Sequence, residues 1–172
     1  MRRITTIMAI SLLFVLAGIL TSVVLGQNAH YKAKGGPNCV DNGLTATCTG
    51  TVTGLGNFNV EVTLSASASG PTVCTNPGGN EAAGQNPANN VPVSGSLVIP
   101  ADSIKNGNLS FSVATTPPPN PTAAQAGCPN GNWTARYSDL SFTNGKLIIF
   151  QDLNGDAVFS DPGEIVLQTN VF

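Results

Sequence analysis

Two neighbouring stretches decide the fold class: Leu44-Thr45-Ala46-Thr47-Cys48-Thr49-Gly50-Thr51-Val52 and Phe58-Asn59-Val60-Glu61-Val62-Thr63-Leu64-Ser65-Ala66. In the first, Leu44, Ala46, Cys48, Gly50 and Val52 fall on one side and four threonines on the other. In the second, Phe58, Val60, Val62, Leu64 and Ala66 oppose Asn59, Glu61, Thr63 and Ser65. Side chains of an extended backbone point to opposite faces in turn, so this period of two marks strands with one buried and one wet face. Gly54-Leu55-Gly56-Asn57 lies between them, and the two strands are expected to form a hairpin or to lie as neighbours. Residues 91–99, 109–115, 133–142, 146–150 and 165–171 read as further strands. Asn-Gly pairs begin at positions 42, 106, 130, 144 and 154, and this dipeptide favours tight reversals because both residues tolerate positive φ.

No long segment after the first 26 residues carries a helical period. Seven or eight short strands therefore predict an all-β fold, an immunoglobulin-like or Greek-key β-sandwich, with a closed barrel as the alternative. Residues 76–90 and 116–132, the latter containing Pro117-Pro118-Pro119-Asn120-Pro121, are expected as surface loops, the second partly in polyproline form.

Length and composition narrow the function classes. A chain of 172 residues fits one domain with a real core. Only 9% of residues are charged, against about 25% in ordinary globular proteins. Seven Lys and Arg cannot build a strongly basic face, so nucleic acid is excluded as an expected partner.

The first segment reads as a delivery signal. Arg2 and Arg3 precede an uncharged apolar run from Met8 to Leu25, with small Gly26 after it. Residues 1–26 are expected to be a secretory signal peptide cleaved after Gly26, or else an uncleaved membrane anchor, the one case in which the membrane is a partner. In both cases the rest of the chain is exported. The expected organisation is then a signal over 1–26, an N-terminal extension over 27–43 and a single β-sandwich domain over 44–172.

Cys39, Cys48, Cys74 and Cys128 all fall in the exported part, and an even number in an oxidising compartment points to two disulfides. Three pairings are possible. Cys39 and Cys48 flank the turn-prone Asp41-Asn42-Gly43, while Cys74 and Cys128 each open a loop rich in Gly, Asn and Pro, so the favoured pairing is 39 with 48 and 74 with 128.

The only constellation with chemistry is Asp152-Leu153-Asn154-Gly155-Asp156-Ala157-Val158-Phe159-Ser160-Asp161-Pro162-Gly163-Glu164, which holds four of the nine acidic residues. A hard cation such as Ca²⁺ takes six to eight oxygens, and alternating side-chain oxygens followed by a backbone carbonyl and a late carboxylate can wrap it. The segment resembles calcium loops of the EF-hand and dockerin type and variants with a late Pro-Gly-Glu in secreted bacterial repeat proteins. That resemblance implies side-chain ligands at Asp152, Asn154 and Asp156, a carbonyl from Val158, and closure by Asp161 or Glu164. Ala157 stands where those loops carry a sharp-turn Gly, Glu164 lies one residue late, and the flanks read as strands rather than helices. The alternative is an acidic hairpin turn whose carboxylates are simply solvated. More broadly, Cys74-Thr-Asn-Pro-Gly-Gly-Asn, Gly84-Gln-Asn-Pro and Cys128-Pro-Asn-Gly-Asn-Trp133 resemble small secreted bacterial β-sandwich proteins of unassigned function.

Catalytic patterns are sparse. The single histidine, His30, lies near the expected mature N-terminus, and no Gly-x-Ser-x-Gly elbow or phosphate-cradling loop occurs. Glu61, Glu81, Asp102 and Asp139 are the carboxylates left for glycosidase-type chemistry, and Trp133, Tyr137 and Phe142 are the aromatics that could stack on a sugar. The expected function is a non-enzymatic exported module for surface, adhesion or matrix roles, with an extracellular or cell-surface partner. A filament subunit that self-associates through its edge strands is the second expectation, and a secreted enzyme the third.

Overall fold

The computed structural model describes residues 28–172. The signal or anchor expected over 1–26 lies outside the described residues, and among those described no helix is long and apolar enough to cross a membrane. The chain is all-β. Its strands are β1 (His30–Tyr31), β2 (Asn38–Asp41), β3 (Ala46–Thr53), β4 (Val60–Gly70), β5 (Thr72–Thr75), β6 (Glu81–Ala83), β7 (Ala88–Ile99), β8 (Leu109–Ala114), β9 (Thr134–Tyr137), β10 (Ser141–Gln151) and β11 (Ile165–Asn170). One 3-10 turn, Ala101–Ser103, joins β7 to β8.

The strands make two facing sheets and a small third one. In the first sheet β3 pairs with β8 on one side, and on the other with β1 and β2, which follow one another along its length. The second has the order β11-β10-β4-β7, and the third β6-β5-β9. All pairings are antiparallel. Because β4 pairs with β7 while β3 pairs with β8, the span from β3 to β8 is one nested antiparallel pair folded across the two sheets. The folds are made by residues 54–59 and 100–108, and a hydrogen bond from Leu55 N to Gly107 O (3.2 Å) ties them together.

Alternation builds the core. Ala46, Cys48 and Val52 of β3 and Val60, Val62, Leu64, Ala66 and Ala68 of β4 are buried on the inner faces, with Leu109, Phe111 and Val113 of β8 and Leu147 and Ile149 of β10. Burying one of the Val, Leu, Ile or Phe side chains among them contributes about 1.5–3 kcal/mol.

Several expectations are corrected. β3 and β4 are neither a hairpin nor neighbours: they belong to opposite sheets, and the Gly54-to-Asn57 segment is a crossover. The strand expected over 133–142 is two, β9 in the third sheet and the start of β10 in the second. Asn144-Gly145 is not a hairpin turn but a bulge inside β10, since Thr143 pairs with Ser67 and Lys146 with Ser65 on the same partner strand. The bulge receives the C-terminus: Gly145 O accepts from Val171 N (3.0 Å), and a Cβ on Gly145 would strike the Phe172 ring. Asn106-Gly107, by contrast, is the tight turn its sequence predicts, with φ of 52° and 71° between the bridged residues Lys105 and Asn108. Residues 30–31 and 38–41, within the stretch expected as an extension, pair with β3.

Both expected disulfides form, Cys39 with Cys48 and Cys74 with Cys128, and no described cysteine is free. Cys39 and Cys48 are direct cross-strand partners. Cys74–Cys128 fastens the segment between β8 and β9, which contributes no strand, to β5 of the third sheet.

Candidate metal centre

The acidic segment connects β10 to β11, and its local sequence folds it back on itself. Asp152 Oδ1 accepts from Gly155 N (2.7 Å) and Oδ2 from Ala157 N (3.2 Å). Asn154 Oδ1 accepts from Asp156 N (3.0 Å), and Asp156 Oδ1 from Val158 N (2.8 Å). Each is a short Asx side chain capturing an amide two to five residues ahead, the mechanism by which Asp and Asn favour turns. The Asn154 amide nitrogen donates to Asp156 Oδ2 (3.1 Å) and Asp161 Oδ2 (2.9 Å), standing between two carboxylates.

Position 157 is informative. Ala157 has φ of 62°, a left-handed conformation, so the backbone makes this sharp turn without glycine, the residue that tolerates it best. A left-handed alanine costs about 1–2 kcal/mol, and glycine returns part of that as unfolded-chain entropy. Ala157→Gly is therefore expected to raise stability by up to about 1 kcal/mol in a denaturant titration; a loss would contradict the conformation assigned to this turn.

The ends of the loop are buried. Asp152 and Glu164 are each 3% exposed. Glu164 accepts from Gln151 N through its carbonyl (2.9 Å) and from Leu153 N through Oε1 (3.1 Å), which turns its carboxylate toward the start of the loop. Its second oxygen, Oε2, is buried and has no hydrogen-bond partner. Among the described residues no lysine or arginine forms an ion pair with these carboxylates; the ion pair found is Arg136 with Glu81 at 3.1 Å. An unpaired buried carboxylate oxygen is costly, and burial of anions calls for a cation or donors.

The candidate ligands are thus placed on one loop, with different exposures. Asp152 and Glu164 are buried, Asn154, Asp156 and Val158 are exposed, and Asp161 is half-buried. As the loop stands, no three carboxylates, histidines or cysteines among the described residues are gathered closely enough to hold a metal ion. Sequence reasoning missed the residues that seat the loop. Gln151, fully buried, uses its side-chain amide to accept from Gly56 N (3.3 Å) and donate to Gly56 O (3.2 Å), and Asp152 N donates to Asn59 O (3.0 Å). Asn59 Oδ1 in turn accepts from Ala101 N (3.1 Å), so the 54–59 crossover seats the start of the acidic loop and is itself tied to the 100–108 crossover. An apolar strand run ending in a polar Gln was the only trace of this seat in the sequence.

The other candidates are dispersed. Glu61 is half-buried on the outer side of β4, Glu81 is ion-paired, and Asp102 and Asp139 are exposed. Tyr137 and Phe142 are buried in the core and Trp133 is half-buried, so these three rings form no exposed stacking platform. His30 is in β1, opposite Thr53, with Nδ1 2.6 Å from Asn28 O.

The fold and its cross-links define the class: a disulfide-bonded all-β sandwich. Comparison with known protein families, with curated proteins and with solved structures gives no match to this chain.

Proposed function

We propose that the protein is an exported, non-enzymatic β-sandwich module of the cell surface or extracellular matrix, held by two disulfides and by Ca²⁺ in the acidic loop, and presented to an extracellular partner. The observation that carries export is the pairing of all four cysteines, Cys48 and Cys74 inside the buried structure. Such bonds persist in oxidising compartments, and the basic-then-apolar start of the sequence supplies the route. Expressed with its natural N-terminus, the protein should be recovered outside the cytoplasm beginning at Gln27, with no thiol titratable before reduction. Retention in the cytoplasm as reduced full-length chain would overturn the reading.

The calcium part rests on Glu164, whose Oε2 is buried without a hydrogen-bond partner while its Oε1 accepts from Leu153 N, the residue that follows Asp152. Binding requires the Asn154 amide to turn its oxygen inward and Asp156 and Asp161 to close on the ion in its place. Oxygen-only ligands on a flexible loop favour Ca²⁺ over Mg²⁺, which demands a tighter octahedral shell.

A filament subunit is the second reading. As strands, β7 and β8 are each paired on one side only, and between their free edges lies a cleft of about 640 Å³ lined by Leu97, Ile99, Leu109 and Phe111. An extended segment could add there by main-chain hydrogen bonds. Sedimentation that stays monomeric on concentration would remove this reading.

A further inference from the structure

The covalent ties and the acidic loop occupy opposite ends of the sandwich. Cys39–Cys48 lies beside the turn at 42–45, whose Gly43 O accepts from Leu140 N (2.9 Å), and Cys74–Cys128 lies in the third sheet, which follows β4 beyond Gly70. At the other end the two crossovers and the acidic loop meet without a disulfide. We infer that the acidic loop is an ion-dependent latch on the C-terminal strand: with Ca²⁺ held, β11 stays docked, and with Ca²⁺ removed residues 152–172 open while the rest of the sandwich remains folded. This rests on the calcium reading above.

The attachment of β11 makes it the weakest of the long strands. It is an edge strand that pairs with β10 alone, through a register interrupted between Ile149 and Phe150. Ile165 is 52% exposed, and Val166, Leu167 and Val171 are only partly buried against the core. Regions with few buried apolar contacts open locally at a free energy well below that of global unfolding. The connector feeding this strand buries two carboxylates, one with an oxygen that has no donor. Opening lets water hydrate both anions, so without a cation the buried charge pushes the loop outward. A cation bound only by the closed loop reverses that push, because opening then requires its release.

The boundary of the opening is also set. The Gln151 side chain stays fastened to Gly56 inside the sandwich, and from Asp152 onward the side-chain hydrogen bonds of the acidic segment are within the segment itself. Before β11 the segment is tied to the body of the fold by the bond from Asp152 N to Asn59 O and, at its far end, by the bond from Gln151 N to Glu164 O.

Amide hydrogen exchange on the disulfide-intact protein tests this, with calcium chloride or EGTA, while calorimetry and terbium luminescence measure ion binding separately. In EGTA the amides of residues 165–170 should exchange through an opening much more frequent than that of β3, β4 and β8. At about 100 times Kd of Ca²⁺ their protection should rise about 100-fold, the linkage factor 1 + [L]/Kd. In Glu164→Gln, which keeps an acceptor for Leu153 N but removes the charge, the same Ca²⁺ concentration should leave their protection unchanged. Saturable binding with β11 exchange insensitive to Ca²⁺, or with β11 opening only together with β4 in EGTA, overturns the latch and leaves the site standing. No binding by either method overturns both.

Discussion

Replacing Cys74 and Cys128 together by serine is expected to cost about 4 kcal/mol, the loop-closure value for a closed segment of this length, and to lower the thermal midpoint by on the order of 10 °C. The bond spans a sequence separation of 54. The separation of 9 for Cys39–Cys48 corresponds to about 3 kcal/mol by the same relation, and its strands already pair in direct register. Structure sharpens the ranking. The segment from Thr116 to Trp133 contributes no strand, and its described anchors outside the disulfide include the bond from Asn86 N to Ala126 O (3.0 Å), with Ala126 fully buried. Without Cys74–Cys128 this segment loses its covalent tie to β5, whereas β9 keeps its four-residue pairing with that strand. Chemical denaturation of the two double-serine variants measures the difference. A loss below about 1 kcal/mol for the longer loop would mean that the oxidised and reduced unfolded chains are equally restricted, and that the tie is redundant with packing.

Calcium should produce the next largest change. A ligand that binds the folded state alone stabilises it by RT ln(1 + [L]/Kd), about 2.7 kcal/mol at a hundredfold excess over Kd, which raises the midpoint by several degrees. Scanning the oxidised protein with millimolar Ca²⁺ and then with chelator reads this directly. Asp156→Ala should abolish most of the rise, because Asp156 supplies one of the oxygens that must close on the ion. It should also weaken the free loop slightly, since Asp156 Oδ1 holds Val158 N and Oδ2 accepts from Asn154. An undiminished calcium response in that variant would refute the ligand assignment, and no response in the parent would return the loop to an acidic turn.

Legibility of the chain followed the range of the forces involved. The inner face of β3 and β4 was readable because alternation is a property of residues two apart. Short strands escaped. β5, β6, β1 and β2 have two to four residues each, too few for a period to show, and they exist because a longer neighbour offers its edge. The two outcomes at Asn-Gly show the same limit. At 106–107 nothing competes with the turn. At 144–145 the same dipeptide lies between segments that both find partners on β4, so it becomes a bulge and the strand continues. In the acidic loop the residue types and their order were legible, but the seating of Asp152 was not, because Gln151 and Asp152 bond to Gly56 and Asn59 on a crossover some ninety positions earlier.

The all-β class, the inward and outward sets of β3 and β4 and the Asn106-Gly107 turn were legible along the chain, since each depends on spacing or on the chemistry of a few adjacent residues, whereas the pairing of the cysteines was a preference among three that the fold resolved. Which sheet each strand joins, the crossing of the 54–59 segment between sheets and its seating of the acidic loop all arise in the folded chain. Those outcomes are set by main-chain hydrogen bonds and packing between residues often tens of positions apart, as with Glu61 and Phe150, and a local pattern carries no record of which distant edge will be free to receive it.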